Sequence, residues 1–149
     1  MDKMLGGYQA LQIRLLNGRI FQKLLSNEPD AQYRSEQGKI LTILWKQELG
    51  CATATDIALA TGLANNTLTS MVKKLEEQGL VTIQPCTQDK RKKYISLTEL
   101  GWTQKAIGDR VSKELGEIFY QGFSDQEILE FEAYQERIIT NLKKKENEE

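Results

Sequence analysis

At Gly79 the hydrophobic period of this chain changes. Before it, Leu68, Met71, Val72 and Leu75 fall at i, i+3, i+4 and i+7, the stripe of a half-buried helix. After it, Leu80-Val81-Thr82-Ile83 and Tyr94-Ile95-Ser96-Leu97 read as two strands, with Ile95 and Leu97 on one face. Between the strands, Gln84 to Lys93 carries Lys90, Arg91, Lys92 and Lys93 against Asp89 alone. A helix followed at once by a hairpin with a basic tip leaves few architectures open.

The elements upstream narrow the choice. Ile13, Leu16, Ile20 and Leu24 predict a helix over 8–25, ended by Ser26-Asn27-Glu28-Pro29-Asp30. A second helix is expected from an N-cap at Ser35, through Ile40, Leu41, Leu44 and Trp45, to a stop at Leu49-Gly50. Thr53 with Asp56 opens a short helix over 54–61 that Gly62 closes. Leu63-Ala64-Asn65-Asn66 is then a short turn whose asparagines suit the start of the next helix. Two short helices joined by so tight a turn make a helix-turn-helix, and the hairpin after them is a wing. Thr98 caps a further helix with Ile107, Val111, Leu115 and Ile118 on one side. Gly122-Phe123 interrupts it, and the capping box Ser124/Glu127 opens a last helix bearing Ile128, Phe131, Ile138 and Leu142. The charged tail from Lys143 is expected to fray. The fold expected is mainly α with a small β-hairpin wing: a winged helix-turn-helix core over 35–101 with dimerisation helices at 1–26 and 102–145, in one domain over 1–149.

With 149 residues, 40% hydrophobic and 28% charged, the chain is long enough to bury a core. It has no apolar run long enough for a membrane span and no signal peptide, so a cytoplasmic protein is expected. The absence of histidine removes Ser-His-Asp and Cys-His catalysis and every histidine-bearing metal site. No phosphate-cradling glycine loop is visible, so neither an enzyme nor a cofactor or metal is expected. Cys51 and Cys86 form no C-x-x-C pair. Cys51 falls at a helix end and Cys86 enters the wing, where oxidation would shift the basic tip.

The overall charge of −1 hides an asymmetry. Residues 1–50 and 51–97 are each net +2, whereas 98–149 hold twelve carboxylates against seven cations. Opposite the apolar stripe, Asn66, Thr69, Ser70 and Lys73 share a face of short polar groups and one cation, as a helix in the major groove requires. A solvated face would also accommodate them, as it does Glu76, Glu77 and Gln78. The wing favours DNA, because a basic hairpin after such a helix reaches neighbouring phosphates or a minor groove. The candidate DNA-contacting set is Asn65, Asn66, Thr67, Thr69, Ser70, Lys73 and Lys74 on the helix, with Asp89, Lys90, Arg91, Lys92 and Lys93 on the wing.

The run Ile57-Ala58, Thr61-Gly62-Leu63, Leu68-Thr69, Val72, Leu75-Glu76, Gly79-Leu80-Val81, then Asp89-Lys90-Arg91 and Leu97-Thr98-Glu99-Leu100-Gly101 resembles the MarR family of bacterial transcriptional regulators. The motifs cover roughly 53–101. The resemblance implies that Asn66, Thr69, Ser70 and Lys73 face the major groove, and that Arg91 enters the minor groove or is braced by Asp89. Many relatives carry arginine where this chain has Ser70. It also implies a homodimer clasped by first and last helices on a palindromic operator in double-stranded DNA, acting most often as a repressor. A small aromatic or lipophilic effector would lie between the dimerisation helices and the winged core, with Tyr8, Phe21, Tyr33 and Trp45 as candidate lining residues. The alternative function is a winged-helix protein-interaction adaptor without specific DNA binding.

Overall fold

The computed structural model describes residues 4–148; residues 1–3 of the expected 1–26 helix, and Glu149, lie outside the described residues. Two compact units emerge, Met1–Leu115 and Gly116–Glu149.

In the first unit the chain runs through α1 (Gly6–Ser26), a 3-10 turn (Ser35–Gln37), α2 (Gly38–Lys46), β1 (Cys51–Thr53), α3 (Ala54–Thr61), α4 (Asn65–Glu77), β2 (Val81–Pro85) and β3 (Lys93–Leu97), and enters α5 (Glu99–Phe119). Leu25, Ile40, Leu41, Leu44, Ile57, Leu75, Leu80, Ile95 and Val111 form its buried centre. Leu68, Met71, Val72 and Leu75 face this core, as the stripe predicts, with Met71 only half-buried. The strands form an antiparallel sheet in the order β1-β3-β2. The hairpin pairs Ile83 with Ile95 and Pro85 with Lys93. Pro85 sits in an edge strand, where its missing N–H leaves no central ladder bond unmade.

Several local expectations are corrected. α2 stops at Lys46, four residues before Gly50, because Gln47 turns extended. Ser35 is not an N-cap: it begins the 3-10 turn, its N–H donates to Gln22 Oε1, and the turn is closed by Gln37 Oε1 accepting from the Arg34 N–H at 2.9 Å. Cys51 lies in a strand rather than at a helix end, paired with Ser96. This third strand is only three residues long, too short for an alternating pattern. On the predicted α1 stripe Ile13 and Leu16 are exposed, and α1 meets the core through Phe21, Leu24 and Leu25. In α5, Gln104, Ile107 and Val111 are buried.

Gly79 and Gly101 are required by geometry at the junction of α4, β2 and α5. Gly79 has φ +81, and the N–H groups of Gly79 and Leu80 donate to the carbonyls of Glu76 and Leu75, the Schellman ending of a helix. At Gly101 a Cβ would collide with the Leu80 carbonyl oxygen, so α5 can lie this close to the start of β2 only with glycine there. Thr98 locks the same junction: its hydroxyl donates to the Gly79 carbonyl at 2.6 Å and accepts from the Gly101 N–H at 3.1 Å.

The second unit holds the end of α5 and α6 (Asp125–Glu146). Ser124 and Glu127 close the predicted capping box. Glu127's carboxyl is held below its ordinary value by the Ser124 backbone N–H and hydroxyl. Phe119, Tyr120, Phe123 and Phe131 stack around the turn. Ile118 is exposed, not buried with the rest of its stripe. The helix continues through Lys143–Lys145 to Glu146 instead of fraying at Lys143, since three cations in the last turn complement its dipole. Among the described residues, no helix is long and apolar enough to cross a membrane.

Candidate nucleic-acid interface

α3 and α4 are joined by the three residues Gly62, Leu63 and Ala64. Thr53 caps α3 by accepting the Asp56 N–H at 3.0 Å, and Gly62 closes it in the left-handed conformation. α4 starts differently from expectation: Ala64 occupies the N-cap without a side-chain bond, and Asn65 and Asn66 are already helical. Ala64 thus offers no side-chain acceptor to the first-turn N–H groups of α4, a helix start where an anion would be favoured.

Asn65, Asn66, Thr67, Thr69, Ser70, Lys73 and Lys74 are all exposed on α4. Asn66 Oδ1 accepts the Thr67 N–H at 2.9 Å, which leaves its two amide hydrogens for an external acceptor. The Thr69 hydroxyl donates to the Asn65 carbonyl at 2.8 Å, leaving its oxygen to accept. The face therefore offers both donors and acceptors of known direction.

At the wing, residues 86–92 link β2 to β3. The Cys86 N–H donates to the Lys92 carbonyl, and the Lys92 N–H to the Asp89 carbonyl, folding the tip tightly. Asp89 Oδ1 accepts from the Arg91 backbone N–H at 3.0 Å and from its Nε at 3.2 Å. Of the two outcomes open for Arg91, bracing by Asp89 is present in the free protein. The Arg91 side chain remains 91% exposed while so held. Arg91 in turn holds the Asp89 carboxyl below its ordinary range. Lys90, Lys92 and Lys93 are exposed around it. Cys86 lies buried at the base of the tip. The backbone N–H groups of Gln88 and Asp89 lower its thiol pKa, with a smaller contribution from the Tyr94 side chain.

Sequence reasoning missed what anchors α4 from behind. Gln37 is buried, and its Nε2 donates to Oε1 of Gln78 at the C-cap of α4; Gln78 Nε2 donates to the Gln32 carbonyl at 2.9 Å. The only signal was the polarity of Gln78, which also suits a solvated face.

A cavity of about 650 Å³ opens on the first unit, lined by Arg14, Leu15, Arg19, Phe21, Gln22, Tyr33, Lys39, Trp45 and Gly108 among others. Phe21, Tyr33 and Trp45 are thus brought together, whereas Tyr8 does not line it and is 64% exposed on α1. Tyr33 and Trp45 meet edge to face at 5.8 Å, and the indole Nε1 donates to the Gly101 carbonyl at 3.0 Å. Burial, then the charge of Asp109, push the Tyr33 hydroxyl up to about 12.

Residues 34–93 match the sequence pattern of the MarR family. That segment contains the helix-turn-helix and the wing tip just described. The family match is to this segment of the chain. No curated protein matches the chain by sequence. Among solved structures, a MarR transcriptional regulator from Methanosarcina mazei Go1 is similar at 22% identity and TM-score 0.83, over 95% of this chain and 99% of that one. A cysteine-to-serine mutant of MarR from E. coli, complexed with operator DNA, is similar at 20% identity and TM-score 0.79, over 89% and 91%. Reduced AbfR bound to DNA is similar at 26% identity and TM-score 0.74, over 91% and 88%. The similarity to these structures is one of fold.

Proposed function

We propose that this chain is a homodimeric MarR-family transcriptional regulator of the cytoplasm, reading a palindromic operator and acting as a repressor. The carrying observation is the joint exposure, behind one Schellman turn, of a polar α4 face and a wing arginine already braced by Asp89. Asn66, Thr69 and Ser70 read base edges. Lys73, Lys74, Lys90, Lys92 and Lys93 contact phosphates, with Asn65 and Thr67 at the helix start. Arg91, held by Asp89, enters the adjacent minor groove. The winged core spans 35–101.

Dimerisation uses the outer parts of 1–26 and 102–145. Leu11, Leu15 and Leu16 on α1, and Leu129, Tyr134, Ile138 and Leu142 on α6, are exposed apolar side chains that a second copy would cover. An effector that is small and aromatic or lipophilic occupies the cavity walled by Phe21, Tyr33 and Trp45, whose volume suits a small molecule.

The test is fluorescence anisotropy of a labelled duplex from immediately upstream of the gene, against a scrambled duplex of equal length, at two salt concentrations. Tight binding to the upstream duplex alone, one dimer per site, is expected. Equal, weak and salt-sensitive binding to both, with no preferred site recovered in a genome-wide pull-down, would overturn specific recognition and leave the adaptor reading.

A further inference from the structure

The segment 30–37 is one wall of the cavity, contributing Tyr33, Ser35 and Glu36. Glutamine amides from three other elements, with Gln37 of the segment itself, hold it. From α1, Gln22 Oε1 accepts the Ser35 N–H at 2.8 Å. From α5, Gln104, 2% exposed, accepts the Gln32 N–H at 2.7 Å and donates to the Asp30 carbonyl at 3.3 Å. From the C-cap of α4, Gln78 donates to the Gln32 carbonyl and accepts from Gln37, and Gln37 accepts the Arg34 N–H. An amide is the neutral group that can both donate and accept at this reach, so Gln78 passes the chain of bonds on rather than ending it. Gln37 and Gln104 are buried whereas Gln78 and Gln32 are exposed, so losing the Gln37–Gln78 bond would leave a buried amide unpaired and loosen both ends it joins.

We propose that Gln37 and Gln78 are positioning residues that tie the 30–37 cavity wall to the last turn of α4, so that occupancy of the cavity and operator DNA on α4 act on one another through these amides. The inference rests on the DNA-binding reading. The coupling is reciprocal by linkage: what orders the wall orients α4, and DNA that fixes α4 orders the wall.

The test is hydrogen exchange of the full-length protein, wild type and Gln37→Met, with and without the operator duplex. Without DNA, Gln37→Met should speed exchange by about threefold or more in residues 34–37 and also in the last turn of α4, while β2 and β3 stay unchanged. With DNA, the wild type should slow exchange in 34–37, and the variant should lose that slowing while still binding the duplex. Changes confined to 34–37, or slowing that survives in the variant, would overturn the proposal. A wild type that binds no duplex would refute the DNA-binding reading, while the DNA-free comparison would still judge the tie between wall and helix. Gln78→Glu serves if Gln37→Met does not fold: a carboxylate still accepts from Gln37 but cannot donate to Gln32, so it should loosen 30–37 in the same way.

Discussion

Asp89 and Arg91 show how one contact serves two purposes. The brace aims a flexible cation without covering it, which on the proposed reading would limit the side-chain entropy lost on binding DNA. Arg91→Ala is expected to weaken specific operator binding. Asp89→Ala should also weaken it while leaving the slope of log affinity against log salt unchanged, because no phosphate contact is removed. Loss of one phosphate-contacting lysine among Lys90, Lys92 and Lys93 should flatten that slope by about one unit. Anisotropy titrations over a salt series separate the three. The pH dependence of the brace has a definite sign. A carboxyl whose pKa is lowered in the folded state stabilises fully above its ordinary 3.8 and loses that contribution as pH falls through the lowered value. The Arg91 Nε–H signal followed by NMR should therefore stay in its bonded position from neutral pH down to the ordinary carboxyl value and shift only below it.

At the scale of elements, the helix-turn-helix depends on its ends and its inner stripe. Thr53→Ala removes the α3 cap and should cost about 1 kcal/mol of stability. Leu75 is fully buried on the inner face of α4, and Leu75→Ala should cost about 2–5 kcal/mol. Gly101→Ala forces a methyl group against the Leu80 carbonyl and should cost about 1–3 kcal/mol. It should also disturb the wing, since Leu80 leads into β2 and the Trp45 indole bonds to the Gly101 carbonyl. Urea unfolding of the three variants gives the stabilities, and anisotropy of Gly101→Ala on the operator reads the wing.

For the whole molecule, the question is what covers the apolar side chains left exposed on α1 and α6. Leu16 and Leu142 are 55% and 65% exposed in the single chain. If a second copy covers them, Leu16→Glu and Leu142→Glu should each weaken self-association by an order of magnitude or more, equivalent to about 1.4 kcal/mol. Analytical ultracentrifugation measures this directly. Operator affinity should fall with it, because two half-sites are engaged together only by a dimer. The acidic final third then belongs with the partner subunit, away from phosphates.

How much of this was legible in the chain depends on how far apart the interacting residues lie. The caps at Thr53, Thr98 and Ser124 each join groups three residues apart, so their side chains announce them. The exposed face of α4 follows from helical period once Leu68, Val72 and Leu75 are placed inside. The Asp89–Arg91 brace spans two residues and was one of two outcomes the motif left open. Even locally there were limits: Ser35 and Asn66 have the chemistry of N-caps, yet Ser35 begins a 3-10 turn and Asn66 lies inside α4, where its Oδ1 accepts the adjacent Thr67 N–H. The remainder needed partners from distant parts of the chain. β1 exists only because Cys51 meets Ser96, a pairing no three-residue pattern can signal. The cavity needs Phe21, Trp45 and Gly108 together, and Tyr8, equally aromatic, falls outside it because of where it sits on α1. The glutamine network joins Gln37 to Gln78 and Gln32 to Gln104, and glutamine carries no periodic or capping signature to mark it in advance. The sequence by itself determined the capped helices, the turn and the basic wing, because short-range sterics and hydrogen bonding decide them. Only the tertiary structure decided how α4 is held from behind and what space opens in the first unit, because those depend on contacts among residues the chain order keeps far apart.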